Sequence, residues 1–175
     1  MQQHFPLSGV ITRDFLFREL EFCQTKMAAM LPRFSDCFPA ANTEGLIYPA
    51  EQENFEWTTS FFSGILWLLY EHTKDPACLP VLQNHLASFY PRVEDPGYLD
   101  THDLGFLYSL SCYPAALIQK DRRAEACFLK AARALSRRFF PQAGIIQAWG
   151  DLNDPENRGR MIIDCLLNLP MLYQA

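Results

Sequence analysis

One stretch limits what this chain can fold into more than any other: Thr58-Thr59-Ser60-Phe61-Phe62-Ser63-Gly64-Ile65-Leu66-Trp67-Leu68-Leu69-Tyr70. With Thr58 or Thr59 as its cap it reads as a helix to about His72, apolar on nearly every side. A helix of that kind is buried on most sides by other elements. The greasy run from Phe61 to Tyr70 is much shorter than the roughly 20 residues a bilayer span takes, so no membrane partner is expected.

Further helices are read on both sides of it, and no convincing strand. The first starts at Thr12, a good N-cap, and runs to Leu31 before Pro32. Ser35 to Phe55 is irregular, broken by Pro39, Asn42, Gly45 and Pro49. Asp75 caps the third helix with Pro76 at its first position, and Tyr90 ends it before Pro91. A fourth runs through Leu104, Phe106, Leu107 and Leu110, and Pro114 kinks it or breaks it before Ile118. Asp121 caps a fifth, Arg122 to Phe139. The sixth follows the polar loop Trp149 to Asn157. The second, fourth and sixth helices are greasier than the others, which predicts an inner layer of these three and an outer layer of the first, third and fifth. A toroid or solenoid of helical hairpins requires that alternation. The unequal connecting loops speak against a short regular solenoid repeat. The expected fold class is all-α, three helical hairpins, in a single domain over 1–175.

Composition narrows the function classes. A net charge of −5 and a pI near 5.3, with basic residues spread out, exclude a nucleic-acid footprint. Arg133, Arg137 and Arg138 read as cations at a helix C-terminus, where they suit the dipole. The 14 Phe residues fit a thick helical core or a pocket with aromatic walls, core being the commoner use. Six scattered cysteines read as buried, reduced thiols, and Met1 to Asp14 lacks the basic start and apolar core of a secretory leader. The expected location is therefore cytoplasmic. The four histidines lie far apart, without ligand spacing, so neither a metal nor another cofactor is expected.

Chemistry-bearing residues gather where the inner helices begin. Trp57 and Thr58 open the second helix, and His102 and Asp103 open the fourth. In the run Arg158-Gly159-Arg160-Met161-Ile162-Ile163-Asp164-Cys165-Leu166-Leu167-Asn168-Leu169-Pro170, Asp164 stands within a turn of apolar neighbours. A charge buried there is costly unless it finds partners. Asp164 is thus either a structural carboxylate bonded to helix N-terminal amides or a working acid. In a hairpin array the inner helices run parallel, so these ends meet on one rim, joined by the loop residues Trp149 and Asp151. Plainer readings stand beside these: His102 and Asp103 as caps, Trp57 and Trp149 as core, Asp151 and Asp154 as turn formers, Arg158 and Arg160 as partners of loop carboxylates. His4, His72 and His85 have no constellation and read as surface or packing residues. Aromatic platforms with acids and little positive charge suit a sugar ligand.

Three stretches resemble the unsaturated glucuronyl hydrolases of glycoside hydrolase family 88: Trp57 to Glu71, His102-Asp103-Leu104-Gly105-Phe106, and Ile146-Gln147-Ala148-Trp149 through Asn157-Arg158-Gly159-Arg160 to Ile163-Asp164 and Asn168-Leu169-Pro170. The related unsaturated rhamnogalacturonyl hydrolases have motifs less like these. The resemblance implies an (α/α)6 barrel and removal of a terminal unsaturated uronic acid from oligosaccharides that polysaccharide lyases leave. It further implies Asp164 as general acid/base, Asp103 as the second acid, and Trp57, His102 and Trp149 as walls of the sugar pocket. The family barrel takes about twice this length, so the chain corresponds to about half of it, its N-terminal half. It reads as truncated, ahead of one half of a split or duplicated enzyme or a dimer that rebuilds a barrel. The exposed flank of the greasy inner helices then invites self-association or a complementing C-terminal half. The competing class is a non-catalytic helical-hairpin interaction module, or an inactive remnant of such an enzyme, with the acids as caps.

Overall fold

A computed structural model describes residues 11–175. His4 lies outside them, as does most of the segment read for a leader. Helix α1 spans Arg13–Met30, and Thr12 caps it as expected, its hydroxyl accepting the Phe15 N–H at 3.1 Å. Helix α2 spans Thr59–Thr73 and ends on Lys74 in the left-handed region. Helix α3 spans Cys78–Arg92, α4 Leu104–Leu110, α5 Cys112–Gln119 and α6 Arg122–Arg137. Two short helices close the chain, α7 over Cys165–Asn168 and α8 over Pro170–Gln174.

The expected architecture holds: the protein is all-α apart from two minimal ladders, with three helical hairpins in an open arc. Leu66 and Trp67 of α2 and Leu104, Leu107 and Tyr108 of α4 are fully buried. Trp67 Nε1–H donates to the Ser111 carbonyl at 3.1 Å, tying the inner helices together. Outer α6 turns Ala124, Phe128, Ala131 and Leu135 inward and its arginines outward. His85 is a packing residue: the Ser63 hydroxyl meets its Nδ1 at 3.0 Å and the Phe34 carbonyl its Nε2 at 2.9 Å. Cys112 and Cys127, distant in sequence, meet with their sulfurs 3.4 Å apart. No described helix is long and apolar enough to cross a membrane.

The fourth helix breaks at Ser111, one of the two outcomes read for it, because Pro114 lacks an N–H and its ring crowds the carbonyl four residues back. Four other local expectations are corrected. The third starts at Cys78, since Asp75 accepts the Ala77 N–H at 2.9 Å in a turn ahead of the helix, and it carries Pro91 in its last turn. Two antiparallel ladders occur where no strand was read: β1 (Phe38–Pro39) with β2 (Ala50–Glu51), and β3 (Phe139–Phe140) with β4 (Ile145–Ile146). The second ladder cuts the fifth helix short at Arg137. In the sixth, only residues 165–168 and 170–174 are helical, and Gly159 at φ +81 turns the chain before it.

Candidate active site

The rim where α2, α4 and α7 begin is built by three buried polar residues. Arg138, read as a dipole-compensating cation, is instead buried and fastens two loops. It donates from Nε to the Gln147 carbonyl at 2.9 Å, from a terminal nitrogen to the Gly150 carbonyl at 3.1 Å, and pairs with Asp100. The chain of Trp149 is thereby laid beside the approach to α4: Thr101 pairs with Trp149, and the His102 N–H donates to the Ala148 carbonyl at 2.6 Å. Arg92, also buried, donates to Asn54 Oδ1 at 2.6 Å and to the Phe55 carbonyl at 2.9 Å, shaping the loop that delivers Trp57. Asn168 accepts the Phe106 N–H at 2.7 Å and donates to the Asp164 carbonyl at 3.2 Å, so it holds Asp164 against α4.

The α4–α7 contact depends on Gly105, since a Cβ there would stand 2.6 Å from the Asn168 Cβ. Gly105→Ala is therefore expected to destabilise the fold by about 1–3 kcal/mol, the usual cost of overpacking. A urea midpoint unchanged from wild type would contradict the contact.

The two acids converge on His102. Its ring is 1 % exposed. Nε2 lies 3.2 Å from Asp103 Oδ1 and 3.7 Å from Asp164 Oδ1. The Thr101 hydroxyl donates to the other Asp103 oxygen at 2.8 Å. Asp103 and Asp164 hold the N-cap positions of α4 and α7, yet neither side chain makes a capping hydrogen bond. The plain cap reading therefore fails for both. The surroundings expected of Asp164 are also corrected. Ile163 is 85 % exposed, and Ile162, Leu166 and Leu167 face outward too. Asp164 is half-buried, but its Oδ1 is fully buried and accepts no hydrogen bond. An acceptor left without a donor in a folded interior is costly, and a catalytic role is one of the recognised reasons a fold keeps one.

The aromatic residues flank this centre unequally. Trp149 meets the His102 ring edge-to-face at 6.4 Å, and the Arg160 guanidinium stands over the Trp149 ring, 6.0 Å from its centre. Trp57 packs on Phe106 at 5.7 Å and shares a cleft of about 260 Å³ with Asp103, Thr101, Tyr98 and Arg92. Trp57 and Trp149 are nearly half exposed, which sets aside the core reading for both. Asp151 and Asp154 form turns as expected, accepting the Asn153 and Glu156 N–H groups at 2.9 and 3.0 Å. Arg158 lies over the Phe140 ring at 5.8 Å and, like Arg160, makes no ion pair among the described residues.

Against the absence of any ligand set in the sequence, His102, Asp164 and Cys165 bring ligand atoms within 4.8 Å of one another. The imidazole, however, turns Nδ1 to Cys165 at 2.7 Å and Nε2 to Asp164. An ion on either nitrogen would lack the other partner without rearrangement. Sequence reasoning missed Arg92, Arg138 and Cys165 as builders of the site. Asn168 carried a signal, standing one helical turn after Asp164.

No family model matches the chain. Among curated proteins it is 47 % identical over 148 residues to the unsaturated glucuronyl hydrolase of Bacillus sp. (strain GL1), covering 85 % of this chain and 39 % of that protein. It is 38 % identical over 166 residues to the unsaturated chondroitin disaccharide hydrolase of Streptococcus pneumoniae, covering 95 % and 41 %. In structure it matches the crystal structure of unsaturated glucuronyl hydrolase from Streptococcus agalactiae with a TM-score of 0.88 at 36 % identity, over 96 % of this chain and 42 % of that one. The chain thus spans about two fifths of the length of these relatives, in keeping with an arc that is about half of an (α/α)6 barrel. On sequence and fold together, the chain belongs with the unsaturated glucuronyl hydrolases, glycoside hydrolase family 88.

Proposed function

We propose that this rim is the acid-bearing part of a hydrolase that removes a terminal unsaturated uronic acid from lyase-generated oligosaccharides. The observation that carries the proposal is the convergence of Asp103 and Asp164, both released from capping, on one buried imidazole nitrogen. In the proposed reaction Asp164 gives its proton to C4 of the C4=C5 enol ether, and C5 takes the positive charge. Water adds at C5, losing its proton to the same carboxylate, and the resulting hemiketal collapses to release the next sugar. Asp103, held by Thr101 and His102, binds ring hydroxyls and orients the sugar. Trp57, His102 and Trp149 form its walls. Proton transfer by a single positioned group is worth about 10²–10⁴ in rate.

The apolar stripe left open on α2 is, in this reading, the seam for the other three hairpins of the barrel, and a second copy occupies it when they are missing. Six thiols, five of them buried, suit a reducing cytoplasm. The test is loss of the ultraviolet absorbance of the double bond in an unsaturated chondroitin or hyaluronan disaccharide. It is measured with the chain alone and with the remaining hairpins of the Bacillus relative added in trans. Turnover is expected in the supplemented sample. If neither sample consumes the double bond, the hydrolase reading fails and the non-catalytic interaction module or inactive remnant takes its place.

A further inference from the structure

The mechanism above uses His102 at Nε2 and leaves its other nitrogen unexplained. Nδ1 faces the thiol of Cys165, 2.7 Å away, across a sequence separation of 63 residues. Both groups are buried, so water does not compete for either. We propose that Cys165 is a positioning residue that fixes the tautomer of His102: its S–H donates to Nδ1, so the ring proton sits on Nε2, the nitrogen on the side of the two acids. The role rests on the hydrolase reading; the hydrogen bond beneath it does not.

Chemistry and geometry both support this assignment. A neutral imidazole has one N–H and one lone pair, so whatever holds one nitrogen decides the chemistry at the other. Were the proton on Nδ1, the Nε2 lone pair would face the Asp103 carboxylate at 3.2 Å, setting acceptor against acceptor. The thiol has a competing acceptor in the Ile146 carbonyl, but at 3.7 Å it is a full ångström farther than the ring nitrogen. Burial also pushes the Cys165 thiol up, which keeps its proton available to donate. Because Cys165 directly follows Asp164 and begins α7, the same bond fixes the start of that helix against His102. The Nε2–H is then one donor between two carboxylates: it restrains Asp103 and lies beside the unpartnered Asp164 oxygen without adding a full positive charge there.

The test reads the tautomer directly, by nitrogen-15 NMR of the His102 ring in the labelled chain. Wild type is expected to show a protonated Nε2 and an unprotonated Nδ1 near neutral pH. Cys165→Ala is expected to raise the share of the Nδ1-protonated ring, with only Asp103 left to oppose it, and Cys165→Ser, whose hydroxyl can still donate, to restore the wild-type share. A wild-type ring protonated at Nδ1 overturns the proposal without any variant having to fold. So does a Cys165→Ala ring that keeps the wild-type share. In the supplemented turnover assay, Cys165→Ala is expected to lower kcat about tenfold with little change in KM, as for one orienting hydrogen bond, with recovery in Cys165→Ser. Should wild type fail to turn over while the NMR result holds, the hydrolase reading is what fails, and the thiol's control of the ring stands.

Discussion

Asp164→Asn is expected to lower turnover of an unsaturated disaccharide by about 10³- to 10⁴-fold, the upper part of what one acid–base group supplies. The substitution keeps the shape of the side chain and removes the proton it would give to carbon. It should leave the fold alone, because the Asp164 carboxylate makes no hydrogen bond that stability depends on, and Asn168 reaches the backbone carbonyl of residue 164. An unchanged urea midpoint beside the lost rate would separate chemistry from folding. Asp103→Asn is expected to behave differently. Asp103 accepts from Thr101 through one oxygen and faces His102 Nε2 at 3.2 Å with the other, and an amide has only one oxygen for the two neighbours. The loss of a hydrogen bond to a charged group, about 1.5–3 kcal/mol, corresponds to a drop of roughly 10- to 150-fold, with residual activity and a lower midpoint. Equal residual rates in the two variants would undo the division of roles.

The parts of this site legible in the sequence were those written in local chemistry. Caps at Thr12 and Asp121 placed α1 and α6, and the all-round apolar run placed α2. Polar residues at the start of each inner helix marked one rim, and His102, Asp103, Asp164 and Trp149 do meet there. Trp57 joins them only through the cleft it shares with Asp103. The sixth helix misled for a physical reason. Its Ile162, Ile163, Leu166 and Leu167 have helical propensity but stay exposed among the described residues, while Gly159 and the bond from the Ala148 N–H to the Arg160 carbonyl hold residues 158–163 outside a helix. Tertiary ties overrode propensity there. Arg138 looked like a helix-end cation because its sequence neighbours are cations. Only the fold shows that it alone of the three is buried against carbonyls. The Cys165 contact with His102 joins residues that no spacing rule connects.

The apolar stripe on α2 leads to the second large expectation. Phe61, Ile65 and Leu68 follow one another at helical spacing on one face, and Leu68 is 68 % exposed although it sits amid the most apolar run in the chain. Grooves lie on both sides of the stripe, one lined by Met27, Tyr48 and Phe62, the other by Tyr113 and Leu117. Burying a side chain of this size contributes about 1.5–3 kcal/mol, against an association cost of about 4–15 kcal/mol. Three such residues from each of two copies contribute at most about 9–18 kcal/mol, and the grooves beside them have to be covered as well to leave the roughly 8 kcal/mol net that a micromolar pair takes. The 175-residue chain is therefore expected to sediment as a dimer or larger at tens of micromolar, by order-of-magnitude affinity. Leu68→Lys places a charge in that contact twice over in a symmetric pair, so dissociation should ease by about 10²- to 10⁴-fold while the monomer stays folded, the position being exposed. Adding the remaining hairpins of the Bacillus relative should shift wild type, but not Leu68→Lys, from self-association to a one-to-one complex, because both partners compete for the same face. A wild-type chain that remains a dilute-stable monomer and ignores the added hairpins would mean that this stripe is no seam.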